Sequence, residues 1–202
     1  QILMKAVGAD IIHTNREDGM FGAAAKAQEL LSEIKDSISL QQFKNMSNPK
    51  AHYETTGPEI YQELDGKIDY LVAGAGSGGT YSGVVKFLKE QNPNIKGILA
   101  DPVGSTMGGG EHADYDIEGI GNDFIADTMD MSLVDKVIKI NDSQSFDGAR
   151  ALARHEGILG GSSTGAAFSA ALKLIYEHHV KGNIVFIAPD RGDRYFSKHL
   201  YA

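Results

Sequence analysis

Residues 70–83, YLVAGAGSGGTYSG, constrain the fold more than any other stretch of the 202-residue chain. The first four residues are a short apolar run that reads as a buried strand. Gly74, Gly76, Gly78 and Gly79 follow almost at once. Thr80 then opens a helical pattern that runs toward Gln91. Strand, glycine loop and helix start, in that order, aim successive backbone N–H groups at whatever lies before the helix, where the helix dipole favours negative charge. The stretch reads as a phosphate cradle. What carries the phosphate must be decided from the rest of the chain.

The rest of the chain repeats the alternation of strand and helix. Short apolar runs at 9–14, 39–43, 95–100, 133–140 and 184–188 read as strands. Helical patterns cover 1–7, 19–34, 58–64, 144–155 and 162–178, with Asn141-Asp142-Ser143 and Ser162-Ser163-Thr164 as cap clusters. Residues 45–56, which contain Asn48-Pro49, read as loop. Several strands are continuous apolar runs, the mark of a parallel sheet covered on both faces. The expected class is therefore α/β: three layers, a mostly parallel sheet with helices on both sides. Ligands of such sheets sit beyond the carboxyl ends of the strands. Loops at 74–80, 160–165 and 189–193 fall there.

Composition removes several functions. A net charge of −8 argues against a nucleic-acid or anionic-membrane surface. No apolar run approaches the roughly 20 residues that span a bilayer. Cysteine is absent, which excludes a disulfide framework and a thiolate metal site and fits a cytoplasmic protein. The histidines show no ligand spacing, so no metal is expected. The chain opens Gln1-Ile2-Leu3-Met4 as though inside a helix, and it reads as the later part of a longer protein.

Three chemistries compete for the loops. Gly74, Gly76 and Gly79 satisfy the dinucleotide fingerprint, with Asp101 at the next strand end as the ribose acid of an oxidoreductase domain. Gly161-Ser162-Ser163-Thr164-Gly165 satisfies the serine-hydrolase elbow, with Asp190 and His199 in the right order. His199 lies in a charged chain tail, however, a poor place to hold a base. The third is pyridoxal phosphate, its phosphate on residues 76–80 and its ring nitrogen meeting a hydroxyl such as Ser163. Alone, Ser163 also reads as a helix cap, a role that can coexist with ligand binding, and Asp190 reads more readily as a turn residue than as a catalyst.

Six motifs in order then carry a resemblance over essentially the whole chain. They are Gln42-Phe43-Lys44-Asn45 with Asn48-Pro49; Thr55-Thr56-Gly57-Pro58-Glu59; Gly76-Ser77-Gly78-Gly79-Thr80; Glu118-Gly119-Ile120-Gly121 with Asp123-Phe124-Ile125; Gly161-Ser162-Ser163-Thr164-Gly165; and Pro189-Asp190 with Arg194-Tyr195. Together they resemble the cystathionine β-synthase and cysteine synthase (O-acetylserine sulfhydrylase) family, fold-type II pyridoxal-phosphate enzymes with a tryptophan synthase β-like fold. The resemblance implies that Gly76, Ser77, Gly78, Gly79 and Thr80 hold the phosphate of pyridoxal 5'-phosphate. It implies that Ser163 meets the pyridine nitrogen, that Gln42 lies near the substrate carboxylate, and that Gly119 and Gly121 border the substrate pocket. It implies β-replacement on serine or O-acetylserine by homocysteine or sulfide, in a cytoplasmic homodimer. Residues 1–36 would be the remnant of a smaller, mobile N-terminal domain and 37–202 the large cofactor-binding domain.

One feature of the family is missing. Its Schiff-base lysine stands in an S-x-K-D-R type context near the N-terminus, and no lysine of this chain has that context. The catalytic lysine is therefore expected upstream, the fold N-terminally incomplete, and residues 1–202 alone inactive. A truncated or inactive homologue acting as a binding or regulatory partner is the non-enzymatic alternative.

Overall fold

The computed structural model describes residues 1–201, apart from the side chain of Arg16. The chain divides into two compact units, Gln1–Gln41 and Gln42–Ala202. The first holds α1 (Ile2–Ala6), a 3-10 turn at Arg16–Asp18 and α2 (Gly19–Glu33). Residues 9–14 form no strand, and neither do 39–43. Both are β-rich in sequence but have no neighbouring ladder, without which a strand does not form. The amphipathic stripe expected on 19–34 does form a helix, yet none of its residues is buried.

The second unit opens with α3 (Ser47–Glu54) and α4 (Thr56–Glu63). The loop expected over 45–56 is thus mostly helix. Asn48-Pro49 signals a turn, but Pro49 falls in the first turn of α3, where a missing N–H breaks no intrahelical bond. There follow β1 (Tyr70–Gly74), α5 (Gly79–Gln91), β2 (Lys96–Pro102), a 3-10 turn at Met131–Leu133 and β3 (Lys136–Ile140). The chain closes with α6 (Asp142–Glu156), α7 (Ser162–Tyr176), β4 (Ile184–Phe186) and a 3-10 segment at Gly192–Lys198. Asn141 caps α6 as expected: its side chain accepts from Gln144 N at 2.9 Å, and Gln144 Oε1 accepts from Asn141 N at 3.2 Å.

The four strands form one parallel sheet in the order β3-β2-β1-β4. Side chains alternate across it with period two. Leu71, Ala73 and Leu99 pack on one face with Val84, Val85 and Leu88 of α5. Val72, Ile98 and Ala100 pack on the other with Ala166, Ala170 and Leu174 of α7. Each buried Leu, Ile or Val contributes about 1.5–3 kcal/mol. Gly83 lets α3 come close to α5, because a Cβ there would strike the carbonyl oxygen of Pro49. The chain moves outward from β1 to β2 and β3, then returns to place β4 on the other side of β1. That reversal leaves a crevice at the carboxyl ends of β1 and β4, where ligands of open α/β sheets bind.

Candidate cofactor site

The loop leaving β1 is the stretch whose sequence suggests a phosphate cradle. Gly78 sits at φ 83° as the residue before α5, a conformation that glycine adopts without steric cost. Among the described residues, the backbone N–H groups of Ser77, Gly78, Gly79 and Thr80 have no protein acceptor. They lie together at the positive end of a 13-residue helix. There is no room for larger side chains around them. A Cβ on Gly78 would strike Met129, one on Gly79 would strike Asn48, and one on Gly76 would lie 2.7 Å from Gly119 O.

Two loops close on this cradle. Gly119 and Gly121 have φ of 84° and 79°, and Ile120 between them is buried against Gly74. Gly121 N donates to Ala75 O at 2.8 Å, and Asn122 Nδ2 donates to Gly76 O at 2.6 Å. On the other side Asn48 Nδ2 donates to Gln42 O at 2.9 Å and to Ser77 Oγ at 3.0 Å. Thr128 Oγ1 donates to Ser77 O at 2.6 Å. Gln42 therefore stands beside the cradle through its backbone, with its side chain exposed.

Ser163 is buried in the first turn of α7, and among the described residues its hydroxyl has no side-chain hydrogen-bond partner. Ser162, Ser163 and Thr164 do not cap the helix as expected; Gly161 is the cap and they form the first turn. The hydroxyls of Ser162 and Thr164 reach other loops instead. Ser162 Oγ accepts from Glu118 N at 2.9 Å, which ties the Gly119–Gly121 loop to α7. Thr164 Oγ1 and Gly161 N both donate to Asp190 Oδ1, at 2.8 and 2.9 Å. Tyr195 donates its phenol to the second oxygen of Asp190. Burial first, and then that carboxylate, push the Tyr195 phenol well above its usual range. Asp190 is thus the anchor of α7, more than the turn residue its context suggested.

His52 has no ligand spacing in the sequence and carries no expected role there. In the structure its Nδ1 meets Thr56 Oγ1 at 2.9 Å and its Nε2 meets Thr80 Oγ1 at 3.1 Å. Burial holds the imidazole below its ordinary pKa. Only the i, i+4 placement of His52 and Thr56 hinted at this in sequence.

The competing readings do not survive the geometry. Asp101, the supposed ribose acid, is buried, and its Oδ2 accepts from Lys139 Nζ at 2.5 Å and from Gly108 N at 3.0 Å. Asp190 is occupied by its three donors, and no hydrogen bond among the described residues joins His199 to it or to Ser163. What remains is a row of inward N–H donors at a helix start, with a buried hydroxyl at the start of a second helix. That donor set fits a phosphate ester attached to a heteroaromatic ring. The fold and these donors together define a class: parallel α/β proteins that take a phosphate-bearing cofactor.

Comparison with known proteins gives that class a family. The family described as "Pyridoxal-phosphate dependent enzyme" matches residues 1–190, and the chain belongs to it. An O-acetylserine dependent cystathionine beta-synthase of Bacillus subtilis is 48% identical over 201 residues, covering 100% of this chain and 66% of that protein. A cysteine synthase of Helicobacter pylori is 44% identical over 202 residues, again covering 100% of this chain and 66% of the relative. The crystal structure of an O-acetylserine dependent cystathionine beta-synthase from Helicobacter pylori superposes with a TM-score of 0.93 at 43% identity, covering 100% of this chain and 66% of that one. The chain thus spans about two thirds of the length of these relatives, and its fold is the fold-type II fold expected from the motifs.

Proposed function

We propose that the protein bearing this chain is a pyridoxal 5'-phosphate-dependent enzyme of sulfur amino-acid metabolism. The reaction is β-replacement: serine or O-acetylserine with homocysteine gives cystathionine, or with sulfide gives cysteine. The observation that carries this reading is the row of unpaired N–H groups at 77–80, in a loop bonded to the Gly119–Gly121 loop, which is itself tied to the start of α7 beside Ser163. The named activities of these relatives support the choice of substrates.

In this reading Gly76, Ser77, Gly78, Gly79 and Thr80 hold the phosphate, and the Ser163 hydroxyl meets the ring nitrogen. When bound, the cofactor supplies the electron sink that lets the α-proton and the β-substituent depart. Ser163 offers that nitrogen a hydroxyl where a carboxylate would keep it charged. This moderates the sink and suits elimination and re-addition at Cβ over chemistry that needs a stronger one. Gln42 receives the substrate carboxylate, and Gly119 and Gly121 border the amino acid; a side chain at Gly119 would enter open space, whereas one at Gly121 would press on Tyr115 and Pro102. Residues 1–36 belong to a smaller, mobile domain on this reading, and the protein works as a cytoplasmic homodimer.

Product analysis on the full-length protein tests it. With pyridoxal 5'-phosphate, O-acetylserine and homocysteine we expect cystathionine. Cysteine from sulfide, without cystathionine from homocysteine, would restrict the assignment to cysteine synthesis. Neither product from any of these pairs would overturn it in favour of an inactive binding partner.

A further inference from the structure

Three successive carbonyl oxygens of the cradle are gripped from outside. Ala75 O accepts from Gly121 N, Gly76 O from Asn122 Nδ2, and Ser77 O from Thr128 Oγ1. A trans peptide is planar, so its C=O and the N–H that follows point in opposite directions. Each outward carbonyl therefore turns the next N–H inward. The grip on Ala75 uses backbone that any residue supplies. Thr128 divides its hydroxyl between Ser77 O and, at 3.3 Å, Gln42 O. The grip on Gly76 O depends on one side-chain amide. Its nitrogen must face the carbonyl, because a carbonyl oxygen only accepts.

We propose that Asn122 is a positioning residue of the phosphate site: by holding Gly76 O outward it aims Ser77 N–H at the phosphate. This rests on the reading of residues 76–80 as a phosphate cradle. Asn122 is well placed for the task because its own backbone is fixed. Ser105 Oγ accepts its N–H at 3.1 Å, and its carbonyl accepts from Thr106 N at 3.1 Å and Met107 N at 3.2 Å. The carbonyl of Ser105 is held in turn by Lys139 Nζ at 2.7 Å, the lysine paired with buried Asp101. A backbone held this firmly lets a short side chain direct a peptide plane. Asn122 also directly follows Gly121, so phosphate binding and order at the substrate border are coupled through one hydrogen bond.

Asn122→Asp replaces the donor with an oxygen of the same shape. Ionised, it faces Gly76 O with like partial charge and turns the peptide; protonated, it donates again. The readout is the preference of the full-length protein for pyridoxal 5'-phosphate over pyridoxal, measured as a ratio of dissociation constants, so that effects common to both ligands cancel. The nearby charged groups are Asp101 with Lys139 and Asp123 with His112. Both pairs remain in the variant, so the variant-to-wild-type ratio isolates position 122. Facing Gly76 O beside a bound phosphate, the new carboxyl is raised above its ordinary value of about 3.9, so we expect the preference to fall about tenfold or more near pH 8 and to begin to recover near pH 5. Asn122→Ala, which adds no charge, should lose part of the preference and show no recovery, and it serves if the Asp variant does not fold. An unchanged preference in both variants, or equal weakening of both ligands, would overturn the proposal. A wild-type protein with no preference for the phosphorylated ligand would overturn the cradle reading itself.

Discussion

At the scale of single residues, the site is built from side chains that touch backbone. Asn48, Asn122 and Thr128 spend their hydrogen bonds on the Gly76–Ser77 turn and on Gln42. His52 spends its two on threonines. Because burial lowers its pKa, His52 is neutral in the fold, and the unfolded chain binds the extra proton below about pH 6.5. The stability it gives is complete above that pH and is lost as pH falls through the lower folded value. We expect the urea midpoint of the full-length protein to drop below about pH 6.5 more steeply in wild type than in His52→Gln. Parallel pH profiles would refute the role. None of these four residues was legible as a site residue. Asn48 lies 29 positions from Ser77, Asn122 lies 46 from Gly76, and Thr128 lies 51 from Ser77. Their meaning arises only when strand ends bring separate loops side by side. The glycines were legible because their constraint is local: Gly78, Gly119 and Gly121 each need a positive φ.

At the scale of elements, α5 and α7 do complementary work. Each starts at the carboxyl end of the sheet, one with bare N–H groups and the other with hydroxyls. The start of α5 is shaped by loops packed around it. The start of α7 is anchored by Asp190, whose carboxylate receives Gly161 N–H and the hydroxyls of Thr164 and Tyr195. Asn at 190 keeps one acceptor oxygen and forces an NH₂ against a donor. We therefore expect Asp190→Asn to cost about 1–3 kcal/mol in unfolding free energy, read from denaturant midpoints. A variant as stable as wild type would show that α7 is held by its packing alone. The sequence revealed α7 and its serines but misassigned them as caps. Hydroxyls in a first turn and at a cap look alike until their partners are seen. The helix at 47–54 was missed for a related reason: proline ends helices in sequence logic yet is harmless in a first turn.

At the scale of the whole molecule, the sheet order was hidden, but the class of fold was not. Alternating apolar runs and helical patterns required a parallel sheet, and six ordered motifs placed the chain in its family. The order β3-β2-β1-β4 depends on which strands pair, which no local pattern encodes. That order puts the loop after β1 beside the end of β4, the position where ligands of open α/β sheets bind. The central claim, that this crevice holds the phosphate of the cofactor, is tested most directly by the ³¹P resonance of pyridoxal 5'-phosphate bound to the full-length protein. A free phosphate monoester takes up its second proton near a pKa of about 6. N–H donors at a helix start favour the dianion. We expect the bound resonance to stay at the dianion position from about pH 8 down to about pH 5.5, and to titrate again in Gly78→Ala, where a side chain would press on Met129. A bound resonance that titrates like the free ester in the wild-type protein would contradict the claim.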